Sequence, residues 1–288
     1  MIYKKLLAAA LLAALVCPAF AVYADGLSAS AQEEHILGAS SVQTTQAIAN
    51  ADLSMDATAA ILVDAVTGTV LYEKNADAPR AIASITKVMT LLLVMEALDA
   101  GKITIEDEVT ASEHAYSMGG SQIWLEPGEV MTVDELLRAV AVASANDAAV
   151  ALAEYVGGSE EAFVGDMNRR AASLGMTNTT FKNSNGLDED GHMSCARDVS
   201  VMSRELLKHE LIRNYITIWT DELRGGETQL TNTNKMLRSY DGITGIKTGT
   251  TNKAGVCISA AAARDGMELI AVVLGSSDSA GRFAAAQT

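Results

Sequence analysis

The sequence predicts an α/β fold of the α+β kind, in which strands from the two ends of the chain pair into one antiparallel sheet flanked by helices and a mostly helical lobe is inserted between them. Three observations predict it. β-Rich runs occur soon after residue 56 and again after Thr244. The stretch between them is apolar at helical period. At 288 residues, with 49% hydrophobic and 20% charged residues and no low-complexity tract, the chain can bury a sizeable core.

Residues 1–24, "MIYKKLLAAALLAALVCPAFAVYA", have a basic start, an apolar run and a small-residue exit with Val22 and Ala24 at the cleavage offsets. This is the pattern of a secretory signal peptide, with cleavage after Ala24 favoured over Ala21. The run is short and interrupted by Pro18, which argues against an uncleaved anchor, and Val16 before Cys17 argues against a lipid anchor. Losing Lys4 and Lys5 lowers the formal charge from −15 to −17, so nucleic acid is a poor partner. The expected location is secreted, at the outer face of the cytoplasmic membrane or in the cell wall, with no transmembrane segment after cleavage. Residues 25–56 are polar, small and weakly periodic, as in a linker.

The catalytic domain is expected over 57–288, with 57–100 and 225–288 forming the sheet lobe and 101–224 the helical lobe. "AAILVDAVTGTVLYEKNAD" places two strands around a Val66-Thr67-Gly68 turn. Ile85 to Ala100 reads as a buried helix stopped by Gly101. Thr132 and Glu135 have capping-box spacing, and the helix they open breaks near Ser144 and resumes. Glu160–Leu174 and Arg197–His209 are further helices. After Thr244 come three strand-like runs, the last two joined by Arg264-Asp265-Gly266. A cleft between the two lobes is the expected place for a site.

Ser84 and Lys87 stand three residues apart at the head of the buried helix, hence on one helix face. A serine hydroxyl is a weak nucleophile that needs a base within reach, and a lysine is a base only when burial or a neighbouring cation depresses its pKa. Alone, the pair reads equally as a helix cap beside a snorkelling cation. Two more strings change that: "SAN" at Ser144–Asn146, on the helix break, and "KTG" at Lys247–Gly249, opening a strand. Each of the patterns S-x-x-K, S-x-N and K-T-G occurs once.

This ordered trio resembles that of penicillin-binding proteins and class A β-lactamases. From about Ala59 to Arg282 the segments "ASITKVMT", "SANDAAVALAE", "NSNGLDEDGHMSCARDVSVMSREL", "TNTNKML" and "GIKTGTTNKAGVCISAAAARDGMELIAVVLG" resemble D-alanyl-D-alanine carboxypeptidases of the low-molecular-mass penicillin-binding protein family, of the sporulating Gram-positive type. The resemblance implies a β-lactamase/penicillin-binding-protein-like fold and removal of the terminal D-alanine from peptidoglycan stem peptides, with β-lactams as covalent inhibitors. It implies Ser84 as nucleophile, Lys87 as its base, Ser144 as proton relay to the leaving amine and Asn146 as holder of Lys87 or the substrate amide. By the same resemblance Lys247 and Thr248 would bind the terminal carboxylate, Gly249 would let the substrate backbone lie against the strand, and the N–H groups of Ser84 and Thr250 would form the oxyanion hole. Arg282 matches a family arginine near the carboxylate pocket, and an ordinary surface arginine fits there as well.

Two departures stand out. The family commonly has an aromatic residue or histidine at Thr250, and it continues past "GRFAAAQT" into a sheet-packing helix, a β-rich domain and often an anchor. The expectation is therefore an exposed sheet face and a monomer lacking those parts. A β-lactamase is the nearest rival, with Glu189 in the interval of the deacylating glutamate, and a non-catalytic peptidoglycan or β-lactam binder is another. An endopeptidase is disfavoured, because no long insertion separates S-x-x-K from S-x-N.

No metal or cofactor is expected, since His35, His114 and His209 are scattered and no H-E-x-x-H is present. The G-x-S-x-G elbow of α/β-hydrolases is missing as well. His192 is expected to make a structural hydrogen bond rather than line the site or orient Lys87. Met118, Met131 and Met167 are expected to fill core, and Trp124, in a segment that resembles one bordering the family's cleft, to pack rather than contact substrate. Cys195 and Cys257 are expected as free thiols, with one disulfide as the alternative.

Overall fold

A computed structural model describes residues 53–288; the expected signal peptide over 1–24 and the expected linker up to residue 52 lie outside the described residues. Among the described residues, β1 (Ala59–Asp64) and β2 (Val70–Lys74) form the first hairpin, and β7 (Ile243–Thr251), β8 (Gly255–Arg264) and β9 (Met267–Ser276) form a meander near the other end. The strands join as one antiparallel sheet in the order β2-β1-β9-β8-β7, with Ala59 of β1 opposite Leu274 of β9. Two two-stranded ribbons interrupt the helical middle: β3 (Glu108–Thr110) with β4 (Val130–Thr132), and β5 (Thr220–Leu223) with β6 (Thr228–Thr231).

Side chains alternate across a strand, so each strand of the sheet feeds two cores. Ala59, Ile61 and Val63, with Ile270, Val272 and Leu274, face the main core beneath the helices. Ala60, Tyr72, Ile258, Ala260 and Val273 face a smaller cluster on the other side. The long helices are α1 (Lys87–Asp99), α2 (Asn146–Gly157), α3 (Glu160–Ser173), α4 (Ala196–Leu206) and α5 (Ser279–Gln287). α1 is buried on nearly every side, as its almost uninterrupted apolar sequence requires. It ends as expected at Gly101, where Gly101 N donates to Leu98 O and Lys102 N to Ala97 O, the two bonds of a Schellman stop. α4 lies on β1 and β9, and its Ser203 hydroxyl bonds to Ser259 of β8 at 2.8 Å.

Three expectations need correction. The helix read from Ile85 is two pieces, a 3-10 turn over Ala83–Thr86 followed by α1. The stretch read as linker is anchored at its end: Leu53 and Met55 pack on the smaller cluster, and the Asp56 carboxylate accepts from Ser277 N and Oγ at 2.9 and 2.7 Å. The outer sheet face is not bare, because α5 lies across β8 and β9 with Phe283, Ala285 and Ala286 on the same cluster. Cys195 and Cys257 are free and buried, as read. No helix among the described residues is long and apolar enough to cross a membrane.

Candidate active site

The three motifs converge from three parts of the chain. Ser84 sits in the 3-10 turn, whose first residue, Ala83, is held at φ 49°. This left-handed entry turns the chain sharply into α1. β7 presses against the turn: a Cβ on Gly249 would lie 2.9 Å from Ser84 N and 3.0 Å from Ile82 O. The protein's own nucleophile turn therefore requires glycine at this position.

The middle motif is placed by a helix that changes pitch. Thr132 and Glu135 form the expected capping box, with Glu135 N donating to Thr132 Oγ1 at 3.2 Å and Thr132 N to Glu135 Oε2 at 2.9 Å. The helix Val133–Arg138 then widens into a π-turn over Ala139–Ala143 and stops at Ser144 with φ 61°. That break swings Ser144 out of the helix and starts α2 at Asn146. Ser144 Oγ accepts from Lys247 Nζ at 2.8 Å, and Asn146 Oδ1 accepts from Lys87 Nζ at 2.6 Å.

Lys87 and Lys247 are 0% and 1% exposed. Lys87 Nζ lies 3.0 Å from Ser84 Oγ, 2.6 Å from Asn146 Oδ1 and 2.6 Å from the Asn185 carbonyl. Burial, and then the charge of Lys247, hold its pKa well below the ordinary lysine value, with buried Asp147 opposing. A neutral amine has two N–H bonds and one lone pair. The two carbonyl oxygens can only accept, so they take both protons and leave the lone pair to accept the Ser84 O–H. The arrangement therefore poises a base on a serine hydroxyl.

Lys247 is pulled down to about 7 by burial and by Arg282. Arg282, on α5, is buried: Nη1 donates to Cys257 O at 3.2 Å and Gly249 O at 3.3 Å, while Nε has no hydrogen-bond partner among the described residues. The reading of Arg282 as an ordinary surface residue is thereby corrected. Lys247, Thr248 and Arg282 bring two buried cationic side chains and a hydroxyl to one end of the site, a setting for an anion. The Thr248 hydroxyl donates to Thr233 Oγ1 at 2.6 Å, and Thr250 is exposed at the end of β7.

What the sequence does not show is that the loop 182–192 meets the nucleophile turn and the first residues of α1 at four points. Asn185 O meets Lys87, and Ser184 O accepts from Thr90 Oγ1 at 2.5 Å. Gly186, at φ 90°, lies so close that a Cβ would be 2.0 Å from Ala83 O. His192 Nδ1 accepts from Lys182 N at 3.0 Å, so its Nε2–H donates to Thr86 Oγ1 at 2.7 Å, and Thr86 donates on to Ala83 O. His192 is thus structural, as read, and burial holds its pKa down at about 4. Asn185-Gly186 is a recognisable turn signal, but nothing in a sequence says which amine a backbone carbonyl will meet. Glu189 is exposed, accepting from Asn183 Nδ2 at 3.1 Å on the outer side of this loop. No cluster of metal ligands occurs among the described residues.

A buried acid, Asp147, was also missed. Its carboxylate accepts from Ile123 N, Leu125 N and Ala148 N at 2.9–3.2 Å, fixing the segment that carries Trp124. Trp124 itself is 73% exposed, which corrects the expectation that it packs. Met131 and Met167 are core, while Met118 is half-buried with Sδ 3.5 Å from Asn185 Nδ2.

The family profile described as D-alanyl-D-alanine carboxypeptidase matches residues 43–278. The chain belongs to the D-alanyl-D-alanine carboxypeptidase family. Among curated members it is 51% identical over 229 residues to D-alanyl-D-alanine carboxypeptidase DacF of Bacillus subtilis, covering 78% of this chain and 59% of that one. The chain thus spans about three fifths of the length of the carboxypeptidase relatives it first matches. Among solved members, penicillin-binding protein 5 from Haemophilus influenzae superposes with a TM-score of 0.79 at 31% identity, over 82% of this chain and 70% of that one. Penicillin-binding protein D2 from Listeria monocytogenes, solved in its cefotaxime-bound form, superposes with a TM-score of 0.72 at 31% identity, over 83% and 97%. This member of the carboxypeptidase family therefore has the fold of the penicillin-binding proteins.

Proposed function

We propose that this protein is an extracytoplasmic serine-type D-Ala-D-Ala carboxypeptidase that removes the terminal D-alanine from peptidoglycan stem peptides, and that β-lactams acylate it as substrate mimics. The observation that carries the reading is the geometry at Lys87: an amine buried beside a serine hydroxyl, with both protons claimed by carbonyl acceptors.

In the proposed reaction the substrate carboxylate lies against Lys247 and Thr248, with Arg282 adding positive charge behind them. Ser84 Oγ attacks the carbonyl of the penultimate D-alanine as its proton passes to Lys87. The oxygen that becomes negative faces the N–H groups of Ser84 and Thr250; losing one such donor typically costs about 3 kcal/mol of barrier. Collapse breaks the peptide bond, and D-alanine leaves with a proton relayed through Ser144. Water then hydrolyses the Ser84 ester, its proton returning through Lys87. Every proton taken from Ser84 or water is given to the leaving amine or the restored hydroxyl, so no metal or cofactor enters the scheme. One catalytic domain that includes the packed Leu53–Asp56 segment, cleaved from its signal peptide and acting as a monomer, is part of the same proposal.

The rival β-lactamase reading needs a base for rapid deacylation, and the exposed Glu189 is poorly suited to that work. Intact-protein mass after incubation with benzylpenicillin, beside a Ser84→Ala control, tests both. A long-lived penicilloyl adduct absent from the control, with D-alanine released from a D-Ala-D-Ala-terminated peptide, is the expected result. Rapid penicillin turnover would favour the β-lactamase. A folded protein that neither binds covalently nor releases D-alanine would leave only a non-catalytic binder.

A further inference from the structure

Trp124 stands at φ 60° with 73% of its surface exposed. A bulky residue in the left-handed region is strained, and such a residue persists only where its surroundings over-determine it. Here the surroundings are explicit. The fully buried Asp147 carboxylate takes the N–H groups of Ile123 and Leu125, on either side of Trp124, and Arg224 Nη1 donates to Ile123 O at 2.9 Å. The side chains of Ile123 and Leu125 are buried. The two neighbours are locked inward, and the indole between them is forced out.

This rigid presentation sits on the rim of the site. Gly119 O accepts from Asn146 Nδ2 at 2.6 Å, Ser121 O accepts from Asn146 N at 2.7 Å, and Met118 touches Asn185. At the other end of the same stretch Tyr116 is 49% exposed. Two exposed aromatic rings therefore flank a segment tied directly to the two residues that hold Lys87.

We propose that Tyr116 and Trp124 form an aromatic rim that receives the sugar backbone of peptidoglycan while the stem peptide reaches Ser84; this rests on the carboxypeptidase reading above. Aromatic faces suit the apolar C–H faces of pyranose rings, with polar edges left in water. The glycan is uncharged where its lactyl carboxyl is amide-linked to the stem. An anionic lipid surface fits poorly, because exposed Glu113 and Glu126 border the rings, Arg224 is paired with Glu129, and the chain carries −15 overall. Trp124 is three residues, at most about 11 Å of chain, from Ser121, whose carbonyl accepts from Asn146 N beside Lys87.

The test compares two substrates in the full chain. Trp124→Ala and Tyr116→Ala, singly and together, are assayed on a short D-Ala-D-Ala-terminated peptide and on uncross-linked glycan strands bearing pentapeptides. The expected result is unchanged release from the short peptide and unchanged penicillin acylation, with kcat/KM on the strands lowered about tenfold through KM. Trp124→Phe should restore most of the loss. In a Trp219→Phe background, peptide-free glycan strands should shift the remaining indole emission, whereas anionic phospholipid vesicles should not. Equal losses on both substrates, no loss on either, or an emission shift with vesicles alone would each overturn the rim. Wild-type protein inactive on the short peptide would instead overturn the carboxypeptidase reading.

Discussion

At the scale of single residues, the proposed chemistry turns on which groups keep their protons. Arginine is never deprotonated in proteins, so Lys87→Arg replaces a neutral amine with a permanent charge and removes the base. We expect the second-order acylation rate with benzylpenicillin to fall about 10²–10⁴-fold, without loss of the circular-dichroism spectrum. Lys247 has the opposite task and must be charged to hold a carboxylate. With its pKa near 7 in the free protein, kcat/KM on a carboxylate-ended peptide should decline as pH rises through about 7. A flat profile to pH 9 would remove Lys247 from carboxylate binding. The side chains of this site were legible in the sequence because their chemistry is in their identity: Ser84, Lys87, Ser144, Asn146 and Lys247 all stand within one hydrogen bond of another of them. The Asn185 carbonyl was not legible, since every residue has one. Arg282 could be read only as a resemblance, because its burial depends on α5 lying across the sheet.

At the scale of elements, local rules placed most boundaries and tertiary contacts moved the rest. The capping box at Thr132 and the glycine stop at Gly101 appear where the spacing put them. The 3-10 turn before α1 and the π-turn before Ser144 do not follow from periodicity, since both meet neighbours distant in sequence: β7 and the loop 182–192 for the first, β6 and the short helix Arg213–Ile216 for the second. Two substitutions separate these cases. Thr132→Ala removes a half-buried cap far along the chain from the nucleophile turn and should cost about 1 kcal/mol of unfolding free energy in urea, leaving penicillin acylation intact. Gly186→Ala sets a Cβ at φ 90° and 2.0 Å from Ala83 O, so the loop must retreat from the nucleophile turn. We expect it to cost about 1–3 kcal/mol and to slow acylation as well, because the Asn185 carbonyl is the next residue along. Unchanged acylation in that variant would show that the loop does not hold Lys87.

At the scale of the whole molecule, the pairing of both ends into one sheet was legible because β-rich runs flank a helical middle. The small ribbons β3–β4 and β5–β6 were not, since three- and four-residue strands carry too little pattern. Global stability should also record the buried His192. Its pKa is 6.5 when unfolded and about 4 when folded. Between those values the unfolded chain takes up a proton that the folded one refuses, so stability rises with pH from about 4 to 6.5 and gains nothing further from this group above that. His192→Asn should flatten that slope in chemical denaturation across the window; an unaltered slope would mean that the imidazole titrates normally.

The register that sets Ala59 against Leu274 also fixes a sequence of events in time. β1 can find its partner only after nearly all of the domain has been made, and Lys247 reaches Ser144 only once the meander that carries it has docked. Such non-local pairing slows folding. Helices can form early and bring Ser84 near Lys87, but in a half-assembled chain the base lacks its acceptors Asn146 and Asn185. Covalent labelling by penicillin is therefore a stopwatch for the last docking step. In refolding from urea, labelling should appear with the slowest fluorescence phase and never before it.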